Sequence, residues 1–498
     1  MIYNFNLGIG WASSGVEYAQ AYRAKIFRKI GAEAKFIFTD MFSRDNLIDM
    51  TRNIGFLDEE IIWLYTFFSD YVPEPVIFTL DDLKATLDGR SYTYEREGNI
   101  GRLIFEGQGN FYRVYFTDEK QELVHRVEMV SAGCLIRKDY FTSGRIFSEY
   151  YGPLDGKAHL YHRRYFNRDG SVAYEEVIDD DVVMYKFPDR IICSKEELIG
   201  YMTSRLQLSP EDIVIIDRAT GQAQAILENK GQAKVGVVIH ADHFSEGATD
   251  EDNILWNNYY EYTFSMNRHI DFYVTATENQ RKLLIQQFEK YVGVKPTVYT
   301  IPVGSLDELK KPSAPRKSHS AITASRLATE KHVDWLVAAV AEARKDIPDI
   351  SLDIYGKGAA STDLEAQIKK LGAQDYIHLM GQHNLDDVYI KYQAYFSAST
   401  SEGFGLTLME AVGSGLPIIG FDVRYGNKAF IDDGKNGFRI PYSIGMESTR
   451  RQKKLVEAIK KLFIDSDIEA FSEHSYKKAK AYLTSEVESK WKEVVNKK

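Results

Sequence analysis

The sequence predicts an α/β protein made of two doubly wound domains, the first interrupted by an antiparallel, β-rich insertion. Three observations carry this. A strand, a Gly-rich turn and a helix open the chain; a block with two-residue alternation follows; and β-then-α patterning resumes and runs through a second region beyond a Pro-, Ser- and Lys-rich linker. The 498 residues, 44% hydrophobic and 27% charged, exclude disorder or a collagen-like repeat as the main character and suggest about two to four domains.

Taken in order, Ile2 to Leu7 reads as a short strand, G-I-G-W-A-S-S-G as a flexible turn, and Val16 to Ile30 as a helix stopped by Gly31. The strand K-F-I-F-T (Lys35 to Thr39) completes a βαβ start. From about Pro75 to Phe187, pairs such as Tyr92/Tyr94 and Leu103/Phe105 alternate, and Asp88-Gly89 and Asp169-Gly170 read as turns. This block holds 19 Tyr and Phe residues between Phe78 and Phe187 and no Trp. Such density suits a large sheet with one aromatic face, serving either as core or as a surface for a partner or peptide. Strands D-I-V-I-I-D (Asp212 to Asp217) and V-G-V-V-I-H (Val235 to His240) then return to the first domain, so the β-rich block is an insertion.

After the linker Lys310 to Ser318, strands are expected at Ala321 to Thr323, Leu352 to Tyr355, Tyr376 to Met380, Ala394 to Ser399 and Leu416 to Gly420, joined by helices. One helix is expected near His332 to Arg344, another behind a capping box at Thr362 and Glu365, closed by Gly372. The expected boundaries are 1–74 with 191–315 for the first domain, 75–190 for the insertion, 316–480 for the second domain, and a C-terminal helix over 481–498 able to cross back to the first. From Arg450 onward, 13 basic and 8 acidic side chains lie on a helical pattern that includes Trp491. A solvated face accounts for this, with a membrane-surface or partner-binding helix as the alternative.

Charge and cysteine narrow the function. With 62 Lys and Arg against 72 Asp and Glu, the net charge is −10, which disfavours nucleic acid as a partner. Cys134 and Cys193 form no C-x-x-C pair, which argues against a disulfide framework or structural zinc and fits a reducing, cytoplasmic setting. The N-terminus lacks a signal-peptide pattern, and no apolar run approaches the roughly 18–20 residues of a spanning helix.

The most specific motif is E-G-F-G-L-T-L-M-E, Glu402 to Glu410, placed between a strand and a helix. Gly403 and Gly405, on either side of Phe404, allow close backbone approach to a ligand, and the amides of Leu406 and Thr407 open a helix whose dipole favours phosphate. Glu402 can accept hydrogen bonds from a sugar and Glu410 from a ribose. Upstream, S-R-L-A-T-E-K places Arg326 and Lys331 at the mouth of the second sheet, where two cations can hold a leaving diphosphate.

Arg326, Lys331 and the E-x7-E run, in this order in a C-terminal α/β domain, resemble the retaining glycosyltransferases of GT-B fold, with two Rossmann-like domains facing a cleft. The aromatic insertion and its Y-F-N-R-D-G-S-V-A-Y-E-E run (Tyr165 to Glu176) narrow the resemblance to the catalytic A subunits of the bacterial pair that starts O-glycosylation of serine-rich-repeat adhesins. That resemblance implies transfer of N-acetylglucosamine from UDP-N-acetylglucosamine to Ser/Thr of the adhesin, in the cytoplasm, before export by the accessory Sec system. It implies a paralogous B subunit, in a heterotetramer; peripheral contact with the cytoplasmic face of the cell membrane is the alternative that the basic C-terminal helix leaves open. It also implies that Ser14, Gly15, Val16 and Glu17 approach the donor phosphates. His240 stands beside the donor sugar, with His243 ranked second as an orienter, and Gln382 and His383 contact the uracil and UDP. Two departures stand out: Ser14-Gly15 replaces a frequent Gly-Gly pair, and Gly356-Lys357-Gly358-Ala359 replaces a G-x-G-P turn. Lys357 there either adds a phosphate contact or is simply exposed.

A retaining enzyme with no evident carboxylate nucleophile in its first domain points to front-face attack, with the leaving phosphate as base. Arg326, Lys331 and the Leu406 and Thr407 amides would stabilise the diphosphate, while Glu402, the Gly403–Gly405 backbone and His240 hold the sugar. No D-x-D motif ends a strand, since Asp179-Asp180-Asp181 reads as a charged turn in the insertion, so transfer is expected to need no metal or other cofactor. The alternatives are a GT-B transferase acting on a glycan or lipid acceptor at the membrane, and a non-catalytic acceptor-binding partner.

Overall fold

The computed structural model describes residues 1–11, 15–107 and 109–496. The described chain divides into two compact units: Met1–Val238 with Trp256–Asp271, and Ile239–Leu255 with Phe272–Asn496.

In the first unit, parallel strands lie in the order Lys234–Ile239, Ile213–Ile216, Ile2–Asn6, Ala34–Phe38, Ile61–Trp63. Ile213–Ile216 is buried along its whole length, which is why it reads as an unbroken apolar run rather than an alternating one. The helix Gly15–Ile30 stops at Gly31, whose φ of +70° lets the Ala32 amide turn back to the Phe27 carbonyl at 2.9 Å. Because the strand order reverses beside Ile2–Asn6, the loops after it and after Ile213–Ile216 flank a switch point.

The same unit carries a ten-stranded antiparallel meander, each strand from Tyr92–Glu97 to Ile191–Ile192 pairing with the next in sequence. Ala132-Gly133 and Asp155-Gly156, all with positive φ, make tight two-residue turns of the twist hairpins favour. Asp180, also at positive φ, lies in the turn between Val172–Asp179 and Val182–Lys186, so the acidic triplet is a hairpin end. The sheet begins later than the alternation suggests. Residues Leu80–Ala85 are helical because Thr79 and Asp82 form a capping box, and Asp88-Gly89 ends that helical stretch instead of joining two strands.

Much of the aromatic face is core. Tyr165 stacks on Tyr174 at 4.2 Å and on Tyr65 at 5.8 Å, while Tyr140 stacks on Phe147 at 4.2 Å. Tyr65 follows the strand Ile61–Trp63, so the column of rings joins the meander to the parallel sheet of its own unit. Arg163 lies beneath these rings between Glu149 at 3.0 Å and Glu176 at 3.1 Å, a paired charge that burial would otherwise penalise.

The second unit contains a six-stranded parallel sheet in the order Ile377–Gly381, Ser351–Tyr355, Ser320–Ala324, Ala394–Phe396, Ile418–Phe421, Gly437–Ile440. Ser320–Ala324 and Ala394–Phe396, the first and fourth of these strands along the chain, are neighbours, which makes the crevice beyond their carboxyl ends the place where a ligand binds in this topology. The helix Val333–Ala343 presents Leu336, Val337 and Val340 to the sheet. The expected capping box at Thr362 and Glu365 is not formed: the helix Ser361–Lys370 starts from Ala360 without a side-chain cap, and the Ser361 hydroxyl bonds the Gly358 carbonyl at 2.7 Å. The turn Gly356–Gly358 begins that helix two residues earlier than the box requires. Gly372, at φ +63°, follows its end as expected.

The helix Thr484–Asn496 buries Val487, Trp491 and Val494, and its first residue bonds Ser305 at 2.7 Å. Among the described residues, no helix is long and apolar enough to cross a membrane, and Cys134 and Cys193 are exposed free thiols.

Candidate active site

At the switch point of the second sheet, two loops meet. The first leaves Ser320–Ala324 and carries Arg326 and Lys331; the second leaves Ala394–Phe396 and carries Glu402. The Lys331 ammonium donates to Glu402 Oε2 at 2.8 Å, with both side chains about four-fifths buried (18% and 20% exposed). An ammonium has three donors, so Lys331 can hold Glu402 and still offer N–H groups to a phosphate oxygen. Arg326 is not drawn into this pair. Its guanidinium, 79% exposed, pairs with Glu330 at 3.1 Å one turn along, a surface contact that costs little to exchange for a diphosphate.

Backbone packing sets both loops. A Cβ at Gly356 would stand 1.9 Å from the Ser325 carbonyl oxygen and one at Gly358 2.3 Å from that of Leu327, so only glycines let this turn cover the Arg326 loop. Lys357 between them is exposed, with its carbonyl accepting the Leu327 N–H at 3.0 Å. On the other loop, Gly405 has φ +90° and opens the helix Leu406–Gly413 without a capping side chain. The helix N-terminus is therefore left to its backbone amides, as anion binding requires. Phe404 is buried, and Thr407 Oγ1 lies 2.9 Å from the buried Tyr395 hydroxyl, which also bonds the Ala324 carbonyl. Tyr395 thus ties the helix start to the end of the first strand.

Glu410, on the same helix, accepts from Tyr389 at 2.8 Å, and burial raises its carboxyl above the usual range despite that bond. It lines a cavity of 600 Å³ with Lys310, His383, Asn384, Asp386 and Tyr389. His383 is fixed by the Met380 carbonyl at 2.7 Å, and Gln382 beside it is exposed.

His240 follows the strand Lys234–Ile239 and is half-buried, and its carbonyl oxygen lies 3.2 Å from where a Gly403 Cβ would stand. His240 and the Glu402 loop are thereby brought together. His243 is different: it is fully buried, with Nε2 at 2.7 Å from Gln287 Oε1 and Nδ1 at 3.2 Å from the Tyr425 hydroxyl. Burial lowers its pKa to about 4. Of the two histidines, His243 orients structure and His240 is the one beside the loop.

Gly15, Val16 and Glu17 begin the first helix of the other unit, and Ser14 lies outside the described residues. The Glu17 side chain is buried and lies 3.5 Å from Arg218, while Gln20 and Arg23 hold the buried Asp217 after Ile213–Ile216. Gly15, at the start of this helix, is exposed. Sequence reasoning missed Tyr389, Tyr395, Asp242 and Tyr425, which support the site from beneath. The D in H-A-D-H was the one signal in reach.

Doubly wound sheets with a Lys–Glu pair and an uncapped helix N-terminus at the second switch point define a glycosyltransferase of the GT-B class. Residues 306–481 match the glycosyl transferases group 1 family, and residues 93–189 match the GtfA extended beta-sheet domain. The UDP-N-acetylglucosamine–peptide N-acetylglucosaminyltransferase GtfA subunit of Streptococcus gordonii is 53% identical over 99% of this chain and 98% of its own length. A crystal structure of a GtfA/B complex aligns with a TM-score of 0.97 at 53% identity, covering 99% of each chain. The pneumococcal O-GlcNAc transferase GtfA, crystallised with UDP and GlcNAc, aligns at 0.89 with 47% identity over 99% of this chain and 98% of that one. The chain belongs to the family of GtfA subunits.

Proposed function

We propose that the chain transfers N-acetylglucosamine from UDP-N-acetylglucosamine to a Ser or Thr hydroxyl of a serine-rich-repeat adhesin, with retention, as the first step of its O-glycosylation. The observation that carries this is the Lys331–Glu402 pair at the second switch point, with His240 against the same loop. The relatives' names supply the donor and the peptide acceptor, and the GtfA/B complex supports a B subunit as partner. The working assembly in this reading is a heterotetramer in the cytoplasm, able to touch the membrane surface. The assigned division is a first domain over 1–74 and 191–315, an insertion over 75–190 that meets partner or acceptor, and a donor domain over 316–480.

In the reaction, the acceptor oxygen bonds to the anomeric carbon as the bond from that carbon to the UDP oxygen breaks, and the acceptor proton passes to the departing β-phosphate. Charge develops on the diphosphate. Lys331, Arg326 swung from Glu330, and the Leu406 and Thr407 amides stabilise it. Glu402, the Gly403–Gly405 backbone and His240 orient the sugar; Glu410 takes the ribose; Gln382 and His383 take the base. Ser14, Gly15, Val16 and Glu17 are assigned to the donor phosphates, as the family resemblance implies. Two cations and a helix terminus meet the charge of the leaving group, so transfer proceeds without a metal ion. Mass spectrometry of a Ser/Thr-rich peptide, with UDP-N-acetylglucosamine and the B subunit, tests the reading: a HexNAc increment lost in Glu402→Gln supports it, and an unmodified peptide refutes it.

A further inference from the structure

The segment after His240 does more than end a strand. Asp242 Oδ1 accepts the Tyr425 hydroxyl at 2.6 Å, and Asp242 Oδ2 accepts the Arg424 guanidinium at 3.0 Å. Arg424 also lies 3.4 Å from Glu246 and over the Phe244 ring, and Tyr425 packs against His243. One short segment therefore grips two consecutive residues of a turn beyond the strand Ile418–Phe421. That turn in turn holds Glu402: the Tyr425 and Gly426 amides donate to the Glu402 carbonyl at 2.6 and 2.8 Å, and the Glu402 amide donates to the Arg424 carbonyl at 3.1 Å. The fit leaves no slack, since a Cβ at Gly426 would lie 2.0 Å from the Phe404 carbonyl oxygen.

We infer that Asp242 is a positioning residue for the transfer reaction, acting through Arg424 and Tyr425 on Glu402. Its two oxygens fix the turn that anchors the Glu402 backbone, and its place two residues after His240 sets that histidine against Gly403. The sugar-side groups are then held in one register with Lys331. This rests on the transferase reading for its kinetic consequence and on the contacts alone for its structural one.

Asp242→Asn keeps the shape and removes the charge that serves both donors, and Tyr425→Phe removes one hydroxyl, which keeps the test open if the first variant folds poorly. Both are assayed as the full chain with the B subunit. The expected result is a kcat for transfer lower by roughly 10- to 100-fold, with the donor KM changed much less, because the groups are misplaced for reaction rather than removed from binding. Hydrogen exchange in the segments 402–405 and 424–426 should quicken by about tenfold or more, while Ser320–Ala324 stays as protected as before. Wild-type kcat in a folded Asp242→Asn variant overturns the inference, as does unchanged exchange in those segments. If the wild-type complex transfers no sugar, the proposed function falls, and exchange alone decides whether Asp242 holds the Glu402 loop.

Discussion

Lys331 and Glu402 are more exacting as a pair than either is alone. Removing the ammonium strips charge from the leaving-group side and leaves a mostly buried carboxylate unpaired, so Lys331→Ala is expected to lower kcat by about 10²- to 10³-fold, read by UDP release. Arg326→Ala should also lower kcat. Its surface pair contributes so little to the fold that the melting temperature should stay within about a degree or two. These two and the glutamates were legible in the sequence because E-x7-E has a fixed spacing on one helix and its approach loop. Tyr425 was not, because nothing in spacing ties it to Glu402. Their link is made by backbone hydrogen bonds between loops at the ends of different strands.

Loops and strands carry their own consequences. His125, on the strand Val124–Ser131 of the meander, has its pKa lowered to about 4 by burial, as does His243 in the loop after His240. Below an unfolded value near 6.5 the unfolded chain binds more protons than the folded one. The stability from each neutral histidine is thus complete above that pH and is lost as pH falls toward 4, at about 1.4 kcal/mol per pH unit for each group. Melting temperature should therefore drop between pH 7 and pH 5, and less steeply in His125→Gln; an unchanged slope would remove the cause assigned here. Parallel strands were readable as buried apolar runs, and the meander as alternation between turn residues. The helix Leu80–Ala85 escaped because its six residues are too few to display a period, although Thr79 and Asp82 already announce its start. The box at Thr362 and Glu365 misled for the opposite reason: it matches a local pattern, but packing of the Gly356–Gly358 turn decides where the helix begins.

Taken as a whole, the proposed function assigns leaving-group stabilisation to the molecule's own side chains and amides. Excess EDTA should leave UDP release by the complex with B unchanged, and a loss restored by a divalent ion would show that a cation shares that task. The aromatic column of the meander is spent largely on joining it to the parallel sheet of its own unit, so the partner or acceptor contact proposed for the meander falls to exposed residues such as Tyr94 and Tyr161. The most direct test of the account is intact-mass analysis of a Ser/Thr-rich peptide after incubation with this chain, the B subunit and UDP-N-acetylglucosamine. HexNAc increments that vanish in Glu402→Gln and Lys331→Ala are the expected result. A peptide left unmodified by the wild-type complex, or modified equally by both variants, would contradict it.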